Sequence, residues 1–366
     1  MINVEYVPWL LNVFDISALA KTADTLLEYV LKEIKYITEE LHVVLVAWCT
    51  DASGESWKMR RLLRERLGWI ITVDCWSHQI NLIVGDYFKV KTGLIKVMDQ
   101  ALEVVKWFNN HGRPLGMLRE AQKAHYGSIL ALILPALTRW TSHYLAVTRL
   151  LDLEEAIRIL VLTSRARLVQ AVGDKADAIR KAEEIMDILS QPHFWDCLKT
   201  IKKHLEPLAI AANITQANNA RLDVVLLTLG HLYMVFSDVH LAIEPVLRQK
   251  VLDSLERRWA KIDQDVFLMA VVLNPYVRLD RFNRQNRNLT EAALWNVFRR
   301  VYVRMINEEP NHELSDTFTK YVHWIGEWSD TAMALQDISA RAARDHHVVV
   351  HAIGRVFRGN KDDKNR

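Results

Sequence analysis

Hydrophobic residues follow two different rhythms along the chain. His42-Val-Val-Leu-Val-Ala-Trp-Cys-Thr50 is apolar on both alternating faces, the pattern of a central strand covered on both sides. Trp69-Ile-Ile-Thr-Val-Asp74 is a second short apolar run, and Val4 to Phe14 a weaker third. Between them, Leu19, Ala23, Leu26, Leu27, Val30, Ile34 and Ile37 fall on one helical stripe, with Asp15 or Ser17 placed to cap it. A second helix is predicted from Ser53 to Leu67 and carries Lys58, Arg60, Arg61, Arg64 and Arg66. Strand, helix, strand, helix, strand, helix predicts an α/β region.

The rhythm then turns helical throughout. One long amphipathic helix is predicted from Trp140 to Ala171, ended by Gly173. Another opens at Gln191-Pro192, runs through Phe194, Leu198, Ile201 and Leu205, and is expected to bend at Pro207. Asn109 to Pro114, Asn218-Asn219, Asn274-Pro275 and Glu309-Pro310 punctuate the remainder, which ends in a charged tail from Gly359. The expected fold class is therefore α/β plus all-α: an α/β core over residues 1–92, a helical domain over 93–290 and C-terminal helices over 291–366.

Composition narrows the function classes. Half of the 366 residues are hydrophobic and a quarter charged, a globular balance, and 12 Gly with 8 Pro favour helices over a turn-rich β architecture. A net charge of +3 permits nucleic-acid contact without arguing for it. Three cysteines (Cys49, Cys75, Cys197) cannot form a disulfide framework and point to a reducing compartment. The N-terminus shows no secretory pattern, and the apolar windows Ile129–Leu137 and Leu222–Phe236 are too short to span a bilayer. The expected location is the nucleus or cytoplasm, with no secretion and no membrane partner.

Asp51 is the sharpest chemical candidate, because a carboxylate just past the end of a buried strand stands where α/β sheets place ligands and metals. Its alternative role is to cap, with Ser53, the following helix. Two-metal phosphoryl chemistry needs several such carboxylates, and one Asp is not a two-metal site. Cys75 and His78 form a C-x-x-H pair after the second strand; zinc would need two more ligands, which do not follow at suitable spacing. Asp74 and Asp86 could partner His78 or cap helices. Lys58 to Arg66 could contact DNA phosphates or form a solvated face. Arg139-Trp140 could stack on a base or simply pack, and most of the 12 tryptophans sit in helical core patterns. No phosphate-binding glycine loop, G-x-S-x-G elbow or H-E-x-x-H motif occurs.

The ordered series Thr50-Asp51-Ala-Ser53, Cys75-Trp-Ser-His78-Gln-Ile-Asn81-Leu82, Thr138-Arg-Trp-Thr-Ser142 and Val271-Val-Leu-Asn-Pro-Tyr276 resembles the middle of the hAT superfamily of transposases, in its DUF659-type, ribonuclease-H-like branch. The resemblance implies a ribonuclease-H-like core interrupted by a helical insertion. It makes Asp51 the second catalytic Asp, Cys75 and His78 the support of the site, and Trp140, with Arg139, a DNA contact near the cleaved end. The family's first Asp and final Glu have no counterpart here, nor do its zinc-finger and dimerisation segments. A truncated, catalytically inactive relative is therefore expected, with a vestigial Asp51. Its retained role would be DNA or protein binding, through Lys58, Arg61, Arg139 and Trp140 or as a homo-oligomer. No metal and no small-molecule cofactor are expected; Mg²⁺ enters only if the vestigial site functions. Two rivals stand beside it: an active nuclease using Asp74, Asp86 or Glu327 as substitute carboxylate, and a helical interaction scaffold.

Overall fold

The computed structural model describes residues 1–4, 7–135, 140–217, 220–238, 240–279, 282–283 and 285–333. Thr138, Arg139, Asn218, Asn219 and the charged tail lie outside them. Among the described residues the chain is mostly helical, with two small sheets. The strands are β1 (Ile2–Val4), β2 (Val7–Trp9), β3 (Ala47–Thr50) and β4 (Ile71–Asp74). The helices are α1 (Ala23–Lys35), α2 (Gly54–Arg66), α3 (Trp76–Phe88), α4 (Gly93–Asn110), α5 (Gly112–Tyr126), α6 (Thr141–Asp152) and α7 (Glu154–Gln170). They continue as α8 (Ala176–Ser190), α9 (Pro192–Gln216), α10 (Leu222–Ser237), α11 (Pro245–Trp259), α12 (Gln264–Val272), α13 (Glu291–Ile306) and α14 (His312–His323). No helix among the described residues is long and apolar enough to cross a membrane.

Two compact units emerge. One gathers Met1–Gln79, Asn213–Met234 and the described residues from Leu255 onward; the other gathers Ile80–Ala212 and Val235–Ser254. In the first, β1 and β2 pair antiparallel at the surface; β2 falls within the weak strand signal, whereas β1 precedes it and shares only Val4 with it. Helix α1 starts later than its stripe suggests. Thr22 is its N-cap, with Oγ1 accepting from the Thr25 amide at 3.2 Å, while Asp15 accepts from the Ser17 amide in a separate turn. The reason is packing: Leu19 is exposed, and the stripe meets a core only from Ala23 on, where Ala23, Leu27, Val30 and Ile34 bury against Met59, Leu63 and Ile70. Glu55, in the first turn of α2, accepts from the Ala23 amide at 2.8 Å and ties the two helix starts together.

Strands β3 and β4 pair in parallel, Ala47 opposite Ile71 through Thr50 opposite Asp74, with α2 as the crossover. The β–α–β order expected here is present, but on a smaller scale. Residues 42–46 are not strand, Val44 is 82 % exposed, and β3 alternates exposed with half-buried positions rather than lying covered on both sides. A strand is buried on both faces only when neighbours flank it and layers cover it; among the described residues β4 is its single partner. A second core in this unit joins α12, α13 and α14 through Met269, Val272, Leu294, Val297 and Phe318.

In the other unit, α4 to α8 pack on one another around Val104, Phe108, Leu118, Ile157 and Ile185. The single helix expected from Trp140 to Ala171 is interrupted twice: at Leu153, whose backbone leaves the helical region while its side chain is fully buried, and by a kink within α7 at Ser164 (φ −137°, ψ 21°). Burying Leu153 at the turn lets both flanking helices contribute to one core. Gly173 follows at φ 91°, a left-handed stop suited to glycine. Helix α9 stays helical through Pro207. Its Phe194, Trp195, Leu198, Ile201 and Leu205 are all buried, and the Trp195 indole donates to Leu189 O at 3.0 Å.

Candidate functional site

The carboxyl ends of β3 and β4 bring Thr50, Asp51, Asp74, Cys75 and His78 to one edge. Beyond β3, Asp51 is folded against the start of α2. Ser53 is the N-cap, its Oγ accepting from the Ser56 amide at 3.3 Å. The Ser53 amide and hydroxyl reach Asp51 Oδ1 at 3.3 and 2.9 Å. Hydrogen bonding from Ser56 first, then Ser53, with the nearby His78, holds the Asp51 carboxyl below its usual range. Asp51 is thus an ionised buttress of a capped helix start, the alternative role open to it in the sequence.

Asp74 is controlled differently. Arg60 points inward from α2, almost completely buried, and its guanidinium donates to Asp74 Oδ1, to Thr50 Oγ1 and, at 2.6 Å, to Asp51 O. One cation therefore ties together the ends of both strands. Burial pushes the Asp74 carboxyl up, while Arg60, Gln79 and His78 pull it down. The Cys75 amide continues the pairing by donating to Thr50 O at 2.7 Å. Of the other substitute carboxylates, Asp86 accepts from Ser254 Oγ at 2.7 Å and from Lys89 at 3.3 Å, and Glu327 lies on a 3₁₀ turn, Gly326–Trp328.

The two-metal pair implied by the resemblance does not fit this edge. A divalent cation beside Asp74 would lie against a fixed guanidinium that already satisfies that carboxylate, and like charges at contact distance repel strongly in a half-buried site. Among the described residues no three His, Cys, Asp or Glu side chains are grouped to hold a metal ion.

Next to this edge, and in the same unit, lies a polar hollow of about 110 Å³ bordered by Trp57, Arg60, Arg61, Arg64, Asp74, Lys261 and Asp263. Asp263 is neutralised by Arg304. Arg61 stands 5.6 Å over the half-exposed Trp57 ring and keeps a loose pair with Glu65 at 3.7 Å. Arg64 and Lys261 have no carboxylate partner among the described residues. The hollow thus carries surplus positive charge beside an exposed indole, a combination that suits phosphate and base.

Of the DNA contacts expected from the sequence, Arg61 borders this hollow. Lys58 is exposed and pairs with Asp24 at 3.7 Å. Trp140 immediately precedes α6 in the other unit; it is 8 % exposed and its indole N–H has no hydrogen-bond partner among the described residues. Arg139 falls outside the described residues. Trp57, Lys261 and the inward role of Arg60 escaped sequence reading. A signal for Arg60 existed: it shares a helical face with Ser56, Met59 and Leu63, and an arginine on an inward face must find an acid. Comparison with known protein families, with curated proteins and with solved structures finds no match.

Proposed function

We propose that the chain is a transposase-derived protein of the hAT type, built on a remnant of a ribonuclease-H-like sheet, catalytically inactive, and retained for contact with nucleic acid. The observation that supports this is Arg60, whose guanidinium takes up the Asp74 carboxylate and the Asp51 main-chain oxygen at the strand ends, so that Asp74 is not free to share a cation with Asp51. Removing metal affinity there removes the charge stabilisation on which such cleavage depends. Binding needs no metal, and the neighbouring hollow with Arg61, Arg64, Lys261 and Trp57 supports it. The nucleus is the compartment this role calls for.

Two measurements test the assignment. Incubation of hairpin and linear DNA with Mg²⁺ or Mn²⁺ is expected to give no nicking above background; metal-dependent nicking that disappears in Asp51→Ala overturns it. DNA binding followed by fluorescence anisotropy across a salt series is expected to weaken with salt. The slope should fall by roughly 0.9 for each phosphate contact removed in Arg64→Gln and Lys261→Gln. Salt slopes unchanged in both variants would remove the hollow from the interface.

A further inference from the structure

A second cavity, of about 210 Å³, lies in the first unit among α12, α13 and α14, lined by Val272, Leu279, Phe282, Leu289, Val322 and Trp324, with Arg278 and Tyr321 at its polar end. Two of its wall residues hold backbones that bulky side chains rarely adopt: Arg278 at φ 48° and Trp324 at φ 59°. Trp324 ends α14 in the left-handed position usually given to glycine or asparagine. Arg278 is fixed by Asn274, whose carbonyl accepts from the Arg278 amide at 2.8 Å and whose side chain is held by buried Asp223 at 2.6 Å. The two strained residues face each other, the guanidinium 4.4 Å from the Trp324 ring and 5.7 Å from that of Tyr321. Strain of this kind persists only where the surroundings enforce it, and it gathers at binding sites.

The guanidinium is also under-used. Arg278 is 3 % exposed, yet only Nη2 is satisfied, donating to Trp328 O at 3.1 Å. Nε and Nη1 are buried without a hydrogen-bond partner among the described residues. The exposed Asp330 comes within 3.3 Å of Nη1 but off the line of its N–H. A buried arginine with two idle donors is costly unless something accepts from them. Tyr321 cannot be the anion: burial pushes its phenol up to about 12, and its hydroxyl donates to Val272 O at 2.9 Å. Glu291, the acid on the cavity wall, is engaged by His323 at 2.8 Å and Thr319 at 2.7 Å.

We propose that this cavity binds a small organic carboxylate with a compact apolar body, the carboxylate on the idle donors of Arg278 and the body against Leu279, Phe282, Leu289 and Trp324. The planar fork of arginine matches a carboxylate, and an aromatic beneath it leaves its edge N–H groups free. Inorganic phosphate would satisfy the charge but leave the apolar walls wet. The volume is below the roughly 300–1,000 Å³ of drug-sized sites, which selects a compact ligand.

The full chain would be titrated with phenylacetate, 4-methylpentanoate and butanoate by calorimetry and thermal melting, with phenylacetamide and inorganic phosphate as matched controls. At least one carboxylate is expected to bind and, at ten times its Kd, to raise Tm by about 2 °C, while the amide and phosphate do neither. Arg278→Met should abolish the effect and Arg278→Lys weaken it at least fivefold; both pay the same backbone cost as arginine. Leu289→Phe, which narrows the cavity and leaves Arg278 in place, decides the matter should Arg278→Met fail to fold. No binding by any of the three carboxylates, equal binding of phenylacetamide or phosphate, or full-strength binding to folded Arg278→Met or Leu289→Phe would each overturn the site.

Discussion

Replacing Arg60 with methionine tests whether one guanidinium holds the strand ends together. Methionine keeps most of the aliphatic stem but removes every donor to Thr50, Asp51 O and Asp74. The Asp74 side chain is only 11 % exposed, so it would be left as a nearly buried charge without its cation. Stripping one partner from such a pair typically costs about 3–5 kcal/mol. The sign with pH follows from Asp74. Its folded pKa is already raised by burial, and without Arg60 it rises further above the unfolded value. The folded variant then binds more protons than the unfolded chain, so its penalty shrinks as pH falls, by at most about 1.4 kcal/mol per pH unit. Urea denaturation followed by circular dichroism at pH 7 and pH 5 reads both effects. Arg60→Met with Asp74→Leu removes the two charges together and should recover most of the loss, with a coupling of about 2 kcal/mol or more. Losses that simply add, or an Arg60→Met penalty that grows toward pH 5, would refute the account.

Two further outcomes follow from the geometry. Ser53→Ala should cost about 1 kcal/mol by removing the α2 cap, measurable by the same denaturation; no change would mean that Asp51 alone sustains the helix start. His204 is fully buried, its Nδ1 3.0 Å from the Tyr87 hydroxyl and its Nε2 3.0 Å from Ala242 O, an arrangement that suits a neutral ring, and burial lowers its pKa. A lowered histidine takes up its proton in the unfolded chain first, so stability should fall as pH drops below about 6.5. His204→Gln should flatten that dependence between pH 7 and pH 5, and an unchanged slope would count against a neutral ring.

The β3–α2–β4 crossover was legible because Ala47–Thr50 and Ile71–Asp74 are apolar, short and bounded by polar turns. The stretch from His42 to Val46 read as strand on the same grounds and is not, since composition reports what a segment could bury and not whether a neighbour exists to bury it. The α1 stripe was right in phase and wrong at its start, because Asp15, Ser17 and Thr22 are all able caps and only the position of the core chooses among them. Leu153 carries no breaker chemistry, so the division of α6 from α7 is imposed by packing. At the site, Asp51, Cys75 and His78 stood out by position, whereas Arg60 was camouflaged in a run of cations that otherwise face water. Arg278 gave less warning still. Only the Asn274-Pro275 turn before it marked the place, and nothing in a sequence announces a left-handed arginine.

The β3–β4 pair has another consequence. Among the described residues, a ribbon of two strands leaves an outer row of amides and carbonyls on each flank, and β3 adds half-open apolar side chains beside its row. Such a seam accepts an extra strand from any extended segment that meets it in register. Solution behaviour should then depend on concentration, with self-pairing favoured in crowded preparations and relieved by a lysine introduced at Val46 or Cys49.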